Sequence, residues 1–247
     1  MAVIAGNWKM HHGPAAAVGF LSDFEIGSLP SAHELIVFPP TASLHAVASS
    51  DRRDARLQVG VQNIYWEAAG AFTGETSAPM AADAGASFAL VGHSERRHVF
   101  GETDEDTRRK VEAAVRANLV PVLCVGETLD ERRAGRVEQV ILRQLDAALG
   151  GLRAAKRFLV AYEPVWAIGT GETATLADAA SAHGSLRGRL AEAMGVASSA
   201  TVPILYGGSV KPANAAELMS AADVDGVLVG GASLDPASFR EIVDAAG

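Results

Sequence analysis

Four polar side chains in this chain stand at or just past the ends of short apolar runs, and together their types describe proton-transfer chemistry. Glu163 closes Phe158–Tyr162, His93 follows Phe88–Val91, and Asn7 and Lys9 lie at the end of Ala2–Asn7. A carboxylate can act as a base, an imidazole as a proton donor, and an ammonium as fixed positive charge. After Glu163 come Pro164 and then Val165-Trp166-Ala167-Ile168-Gly169-Thr170-Gly171. A base that works away from water needs this order: a fixed acid, a stiff hinge, and a lid able to close. Two glycine-rich run ends, Gly207-Gly208-Ser209 and Gly230-Gly231, add backbone N–H groups that can point at an anion.

Each feature alone has a plainer reading. Lys9 is then a solvated surface charge, His93 a structural histidine with satisfied hydrogen bonds, and Glu163 a loop cap. Pro164 ends a strand, Gly169–Gly171 is an ordinary loop, and Gly230-Gly231 is a tight turn. Trp8, Trp166 and Phe100 read as packing residues rather than ligand platforms. The plain readings are hard to hold jointly, because the polar groups recur at the ends of separate apolar runs.

The runs themselves are Ala2–Asn7, Leu35–Phe38, Leu57–Val61, Phe88–Val91, Val120–Val125, Phe158–Tyr162, Val202–Tyr206 and Gly226–Val229. They are short, rich in Val, Ile and Leu, and mostly lack polar alternation, as expected of parallel strands buried on both faces. Helical stretches lie between them. Pro14 opens Ala15–Phe24, and acids fill the first turn of Asp104–Leu119. Val137–Leu149 is expected to stop at Gly150-Gly151, and Ala177–Met194 at Gly195. Pro212 opens Ala213–Ser220, and Ser238–Ala246 follows the last strand. Eight βα units predict a closed (β/α)8 barrel with a parallel eight-stranded core, one domain over 1–247. An open doubly wound sheet is the alternative. In a barrel, the strand ends that carry these polar residues share one face.

The 247 residues are 49% hydrophobic with a mean hydropathy of +0.16, enough for a large core. Cys124 is the single cysteine, which excludes a disulfide framework and predicts a reducing, cytoplasmic setting. The start, Met1-Ala2-Val3-Ile4-Ala5-Gly6-Asn7, predicts no signal peptide, and no run reaches membrane-spanning length. A net charge of −8 argues against nucleic-acid binding. An anionic substrate therefore needs a locally positive site. The Cys and His spacing suggests no metal constellation.

Asn7-Trp8-Lys9-Met10, Val91-Gly92-His93-Ser94-Glu95-Arg96-Arg97, Ala161–Gly171, Tyr206-Gly207-Gly208-Ser209-Val210 and Val229-Gly230-Gly231-Ala232 occur in that order along the chain. In this the chain resembles the triosephosphate isomerases, end to end. The resemblance implies interconversion of dihydroxyacetone phosphate and glyceraldehyde 3-phosphate through an enediolate, with no cofactor. It implies Glu163 as base, His93 as donor and proton shuttle, Lys9 as fixed positive charge for the phosphate and the growing oxyanion, and Asn7 as an orienting partner. Carboxylate base, neutral histidine and closing loop are that family's known devices, not readings of spacing. By resemblance the phosphate rests on the N–H groups of Gly169, Ser209, Gly230 and Gly231. The lid runs from Pro164 to Thr173, and its Ile168 closes with Leu228 as an apolar clamp over Glu163. The long segment from Gln62-Asn63-Ile64-Tyr65 through Gly70-Ala71-Phe72-Thr73-Gly74-Glu75 resembles an interdigitating loop. Its tip, Thr73, would enter a partner subunit near Asn7 and Lys9, which implies a homodimer. Two departures stand out: Glu172 in the lid, where relatives often carry Lys, and His11-His12 after the first motif. A Schiff-base aldolase on the same barrel, or a non-catalytic phosphate-binding scaffold, are the alternatives. The first would need a desolvated lysine in the site.

Overall fold

Eight apolar runs pair side by side in the computed structural model, which describes residues 2–27, 33–168 and 174–246. The strands are β1 Val3–Asn7, β2 Glu34–Phe38, β3 Leu57–Val61, β4 Phe88–Val91, β5 Val120–Val125, β6 Leu159–Tyr162, β7 Ile204–Tyr206 and β8 Gly226–Val229. Each is parallel to its neighbours, and β1 pairs with β8, so the sheet closes into a barrel. The (β/α)8 expectation holds, and the open sheet is excluded by the β1–β8 register.

Closure explains the unbroken apolar runs. Alternate residues such as Val3, Ala5, Phe38, Leu90 and Leu159 fill the barrel, while Ile4, Val37 and Val160 face the helices. Both faces are buried, so neither needs a polar residue.

Local signals set most helix starts. Thr103 caps Asp104–Arg116, and Thr175 caps Leu176–Met194, each in a reciprocal box with an Asp three residues on. Pro14, Pro212 and Pro236 each occupy the first helical position. Gly195, at φ 86°, ends Leu176–Met194 as expected. Three helices have a boundary that differs by more than one residue. The Asp104 helix stops at Arg116, before Asn118 takes a left-handed φ of 57°. The last helix is Pro236–Asp244. The Val137 helix does not stop at Gly150-Gly151 but continues to Ala154. Gly151 is buried there, and a Cβ on it would meet Val111 Cγ1 at 2.9 Å. Gly151 lets two helices approach closely instead of ending one, while a Cβ on Gly150 would meet nothing within 4 Å. Helices Thr41–Ala48, Ala78–Asp83, Ser94–His98 and Leu129–Arg133 are not foreshadowed by the sequence pattern. Most of them are too short for a 3.6-residue period to show. Among the described residues, no helix is long and apolar enough to cross a membrane.

Candidate active site

Glu163 follows β6 directly and donates its own N–H to Val125 O on the neighbouring strand at 2.8 Å. Its side chain is almost wholly buried. Oε2 accepts the Ser94 N–H at 2.8 Å, and Oε1 lies 3.0 Å from His93 Nε2. Burial pushes the carboxyl toward its neutral form, but the His93 contact and the Ser94 amide outweigh it and hold the pKa below the usual range.

His93 sits just beyond β4. Gly92 makes the turn at φ 72°, a left-handed conformation, and the helix Ser94–His98 begins at once. Nδ1 accepts the Glu95 N–H at 3.2 Å. Burial disfavours a charge on this ring and the adjacent Glu163 favours one, with a net upward push on its pKa. The Nδ1 contact opposes that push, because a proton there would face a backbone N–H. We assign the neutral ring with its proton on Nε2, which satisfies both nitrogens.

Lys9 is held in a left-handed backbone conformation, φ 49°. Asn7 Oδ1 accepts its N–H at 3.0 Å, and Gln62 Nε2 donates to its carbonyl at 2.8 Å. Gln62 also donates to Phe38 O, so the strained turn is clasped from two neighbouring strands. Lys9 Nζ reaches Glu95 Oε1 at 2.6 Å. Trp8, fully buried, donates from Nε1 to Ser233 O at 3.0 Å and ties β1 to the turn after β8. That brings the Lys9 stem to within 3.5 Å of where a Cβ on Gly230 would stand.

These groups line one cavity of about 400 Å³. Asn7, Lys9, His93 and Glu163 supply its polar and charged lining. Gly207-Gly208-Ser209 and Gly230-Gly231, in the loops after β7 and β8, line it beside them, Gly207 against Glu163 and Gly230 against Lys9. Ile168 and Leu228 supply apolar wall. Gly169, Thr170, Gly171, Glu172 and Thr173 lie outside the described residues.

The segment just before them is anchored. Val165–Ala167 forms a 3-10 turn, with Ala167 buried. Trp166 Nε1 donates to Glu127 Oε1 at 2.8 Å, Tyr162 Oη donates to the same oxygen at 3.2 Å, and Val165 N–H donates to Glu127 O. Glu127 is fully buried, and Arg132 stacks over the Trp166 ring at 4.6 Å. Reasoning from sequence alone does not single out Glu127, Gln62 or the cavity-lining Lys211. Lys211 does carry a signal, since it stands two residues beyond Ser209 in the glycine-rich loop after β7. Phe100, expected to pack, is 66% exposed, with Arg96 over its ring at 4.6 Å. It follows a helix too short to turn the ring back onto the barrel. Among the described residues, no group of three His, Cys, Asp or Glu side chains could hold a metal.

The family model for triosephosphate isomerase matches residues 2–246. The chain belongs to the triosephosphate isomerase family. It is similar to the triosephosphate isomerase of Chloroflexus aurantiacus, 49% identical over 98% of this chain and 97% of that one. It is also similar to those of Moorella thermoacetica, at 47% over 98% and 97%, and Solibacter usitatus, at 46% over 98% of each.

Proposed function

We propose that the chain interconverts dihydroxyacetone phosphate and D-glyceraldehyde 3-phosphate, using one barrel domain over 1–247. Family membership supports the activity. The observation that carries the residue roles is a buried carboxylate and an imidazole 3.0 Å apart in a cavity that two glycine-rich loops also line. Glu163 takes the proton from one carbon of the triose and returns it to the neighbouring carbon. To do so, it leaves the Ser94 amide for the substrate. His93 Nε2–H donates to the substrate oxygens and moves protons between them as the enediolate forms. Its Nδ1, held by the Glu95 amide, keeps that proton on the substrate side. Lys9 and Asn7 stabilise the developing oxyanion from β1. Ser209, Gly230 and Gly231, with Gly169 from the lid, offer N–H groups to the phosphate.

The lid adds desolvation. Ile168 and Leu228 would close on Glu163, drying it and raising its basicity once the phosphate is gripped. No cofactor enters this scheme. The aldolase alternative loses support because Lys9 is ion-paired with Glu95 rather than desolvated.

A homodimer is part of the proposal. The segment 62–77 is pinched by Tyr65 N–H to Thr76 O at 2.8 Å, and Tyr65 packs on Trp66 and Phe72. Its tip, Thr73, is exposed, and Phe72 is 40% exposed. Met10, beside Lys9, is 94% exposed. A partner subunit would cover both. A reducing cytoplasm is the expected setting for the free, buried Cys124.

The test is a coupled isomerase assay on wild type and Glu163→Asp. Shortening withdraws the carboxylate by about 1 Å, which should lower kcat ~10²-fold with a modest change in KM. Activity of the variant within about threefold of wild type would remove Glu163 from the base role.

A further inference from the structure

The cavity carries a cation that the proton-transfer scheme leaves unused. Lys211 lines the cavity wall beyond Ser209. Its backbone is clasped: Lys211 N–H donates to Asn214 Oδ1 at 2.8 Å, and Asn214 Nδ2 donates to Ser209 O at 3.0 Å. Lys211 is extended, at φ −138° and ψ 161°, and Pro212 opens the helix that follows. A residue before proline is confined to that region. The Lys211 backbone is thus fixed at the rim, while its side chain is exposed and free to swing.

The charges around the cavity give this position meaning. The chain carries −8 overall. Lys9, whose stem lies against Gly230, is matched by Glu95 at 2.6 Å, and Glu163 adds a further negative charge. Amide N–H groups orient a phosphate but carry no net charge. Among the described residues, Lys211 lines the cavity and forms no ion pair. A phosphate dianion approaching this acidic protein therefore meets an uncompensated cation on the cavity wall.

We propose that Lys211 is a phosphate-binding residue. Its ammonium reaches over the rim to the outward-facing phosphate oxygens and captures the dianion before the amides of the two glycine loops seat it. The inference rests on the isomerase reading above. Lys211 touches the non-reacting phosphate and not the reacting carbons, so its effect belongs in KM and association rather than in kcat.

The test compares wild type with Lys211→Arg, Lys211→Met and Lys211→Glu. Steady-state kinetics at low salt and at about 0.3 M KCl are paired with calorimetric titration by inorganic phosphate. Lys211→Met should weaken phosphate binding and lower kcat/KM by about fivefold at low salt, about 1 kcal/mol. Lys211→Glu should lose more, Lys211→Arg should stay within about twofold, and kcat should move little across the series. The losses should shrink at high salt, where exposed charges are screened beyond ~10 Å or less. Phosphate affinity of Lys211→Met equal to wild type at low salt would overturn the proposal. So would a loss that ignores both the sign of the new charge and the salt. Should wild type bind phosphate yet fail to isomerise, the isomerase reading falls, while the titration still decides whether Lys211 holds phosphate.

Discussion

Gly126 sits where β5 ends, against the backbone of Glu163, and replacing it tests how the base is aimed. A methyl at Gly126 would stand 1.7 Å from Glu163 O and 2.7 Å from its carbonyl carbon. Real Cβ atoms keep at least 3.0 Å, so the gap has to open by about 1.3 Å. Gly126 cannot easily yield. Its N–H donates to Gln144 Oε1 at 2.8 Å and its carbonyl accepts from Gln144 Nε2 at 3.2 Å, with Gln144 itself buried. The displacement therefore falls on Glu163 and on the start of the lid. A misplacement of ~1 Å costs ~10²-fold in rate. Gly126→Ala should thus lower kcat/KM by about two orders of magnitude, about 2.7 kcal/mol in the barrier. Overpacking should also cost about 1–3 kcal/mol of stability, or roughly 2–12 °C in Tm for a chain of this size. A coupled isomerase assay and a thermal melt read both effects. Gly207→Ala is the milder companion. Its methyl would meet Glu163 Cγ at 2.9 Å and Tyr162 O at 3.2 Å, and a side chain can swing where a backbone cannot. Its loss should be about tenfold, less than for Gly126→Ala. A folded Gly126→Ala enzyme within about threefold of wild type would refute the idea that this backbone contact aims the carboxylate. If Gly126→Ala does not fold, an unaffected Gly207→Ala would refute it instead.

Other perturbations probe the rest of the machinery. Ile168→Ala should admit water to the closed site and lower kcat by about tenfold, or about 1.4 kcal/mol. A phosphate-bearing intermediate analogue should then take up less proton on binding, read by calorimetry in buffers of different ionisation enthalpy. Equal uptake by wild type and variant would leave the clamp without its mechanism. Thr73→Arg should favour monomers, with specific activity that falls on dilution and recovers with concentration. A fully active monomer, shown by sedimentation, would sink the dimer proposal. His183 is buried, with Nδ1 on Asp223 O at 3.0 Å, and burial pushes its pKa down to about 4. The unfolded chain binds this proton near 6.5 and the folded chain does not, so stability is full above pH 6.5 and falls as pH drops toward 4. The loss is about 3 kcal/mol at 1.36 kcal/mol per unit. His183→Gln should flatten denaturant-measured stability across that window, and an unchanged slope would acquit the residue.

Contiguous residues carried most of the architecture. Runs buried on both faces marked all eight strands, because a barrel strand needs no polar alternation. Glu163 before Pro164, and His93 after Gly92, were legible because a strand end is a local event. So were Ser209 and Gly230-Gly231, whose glycines announce loops. Gly150-Gly151 shows the limit of such signals. A pair expected to stop a helix instead lies inside one, where Gly151 permits a close helix crossing, and only the facing Val111 and Glu112 distinguish the two outcomes.

What the tertiary structure decided is how those residues are held. Gln62 clasps Lys9 across 53 residues, Ser94 meets Glu163 across 69, and Glu127 grips Trp166 across 39. Lys211 became a candidate only when the loops after β7 and β8 were seen to share one cavity with Lys9. None of these pairs has a local pattern, since a side chain's propensity is set by its own neighbours in the chain. Its partner is set by barrel closure, which brings strand ends together whatever their separation in sequence. The types of the proposed reacting groups were therefore written in the chain, while their aim and clamping arose from contacts that exist only once the barrel has closed.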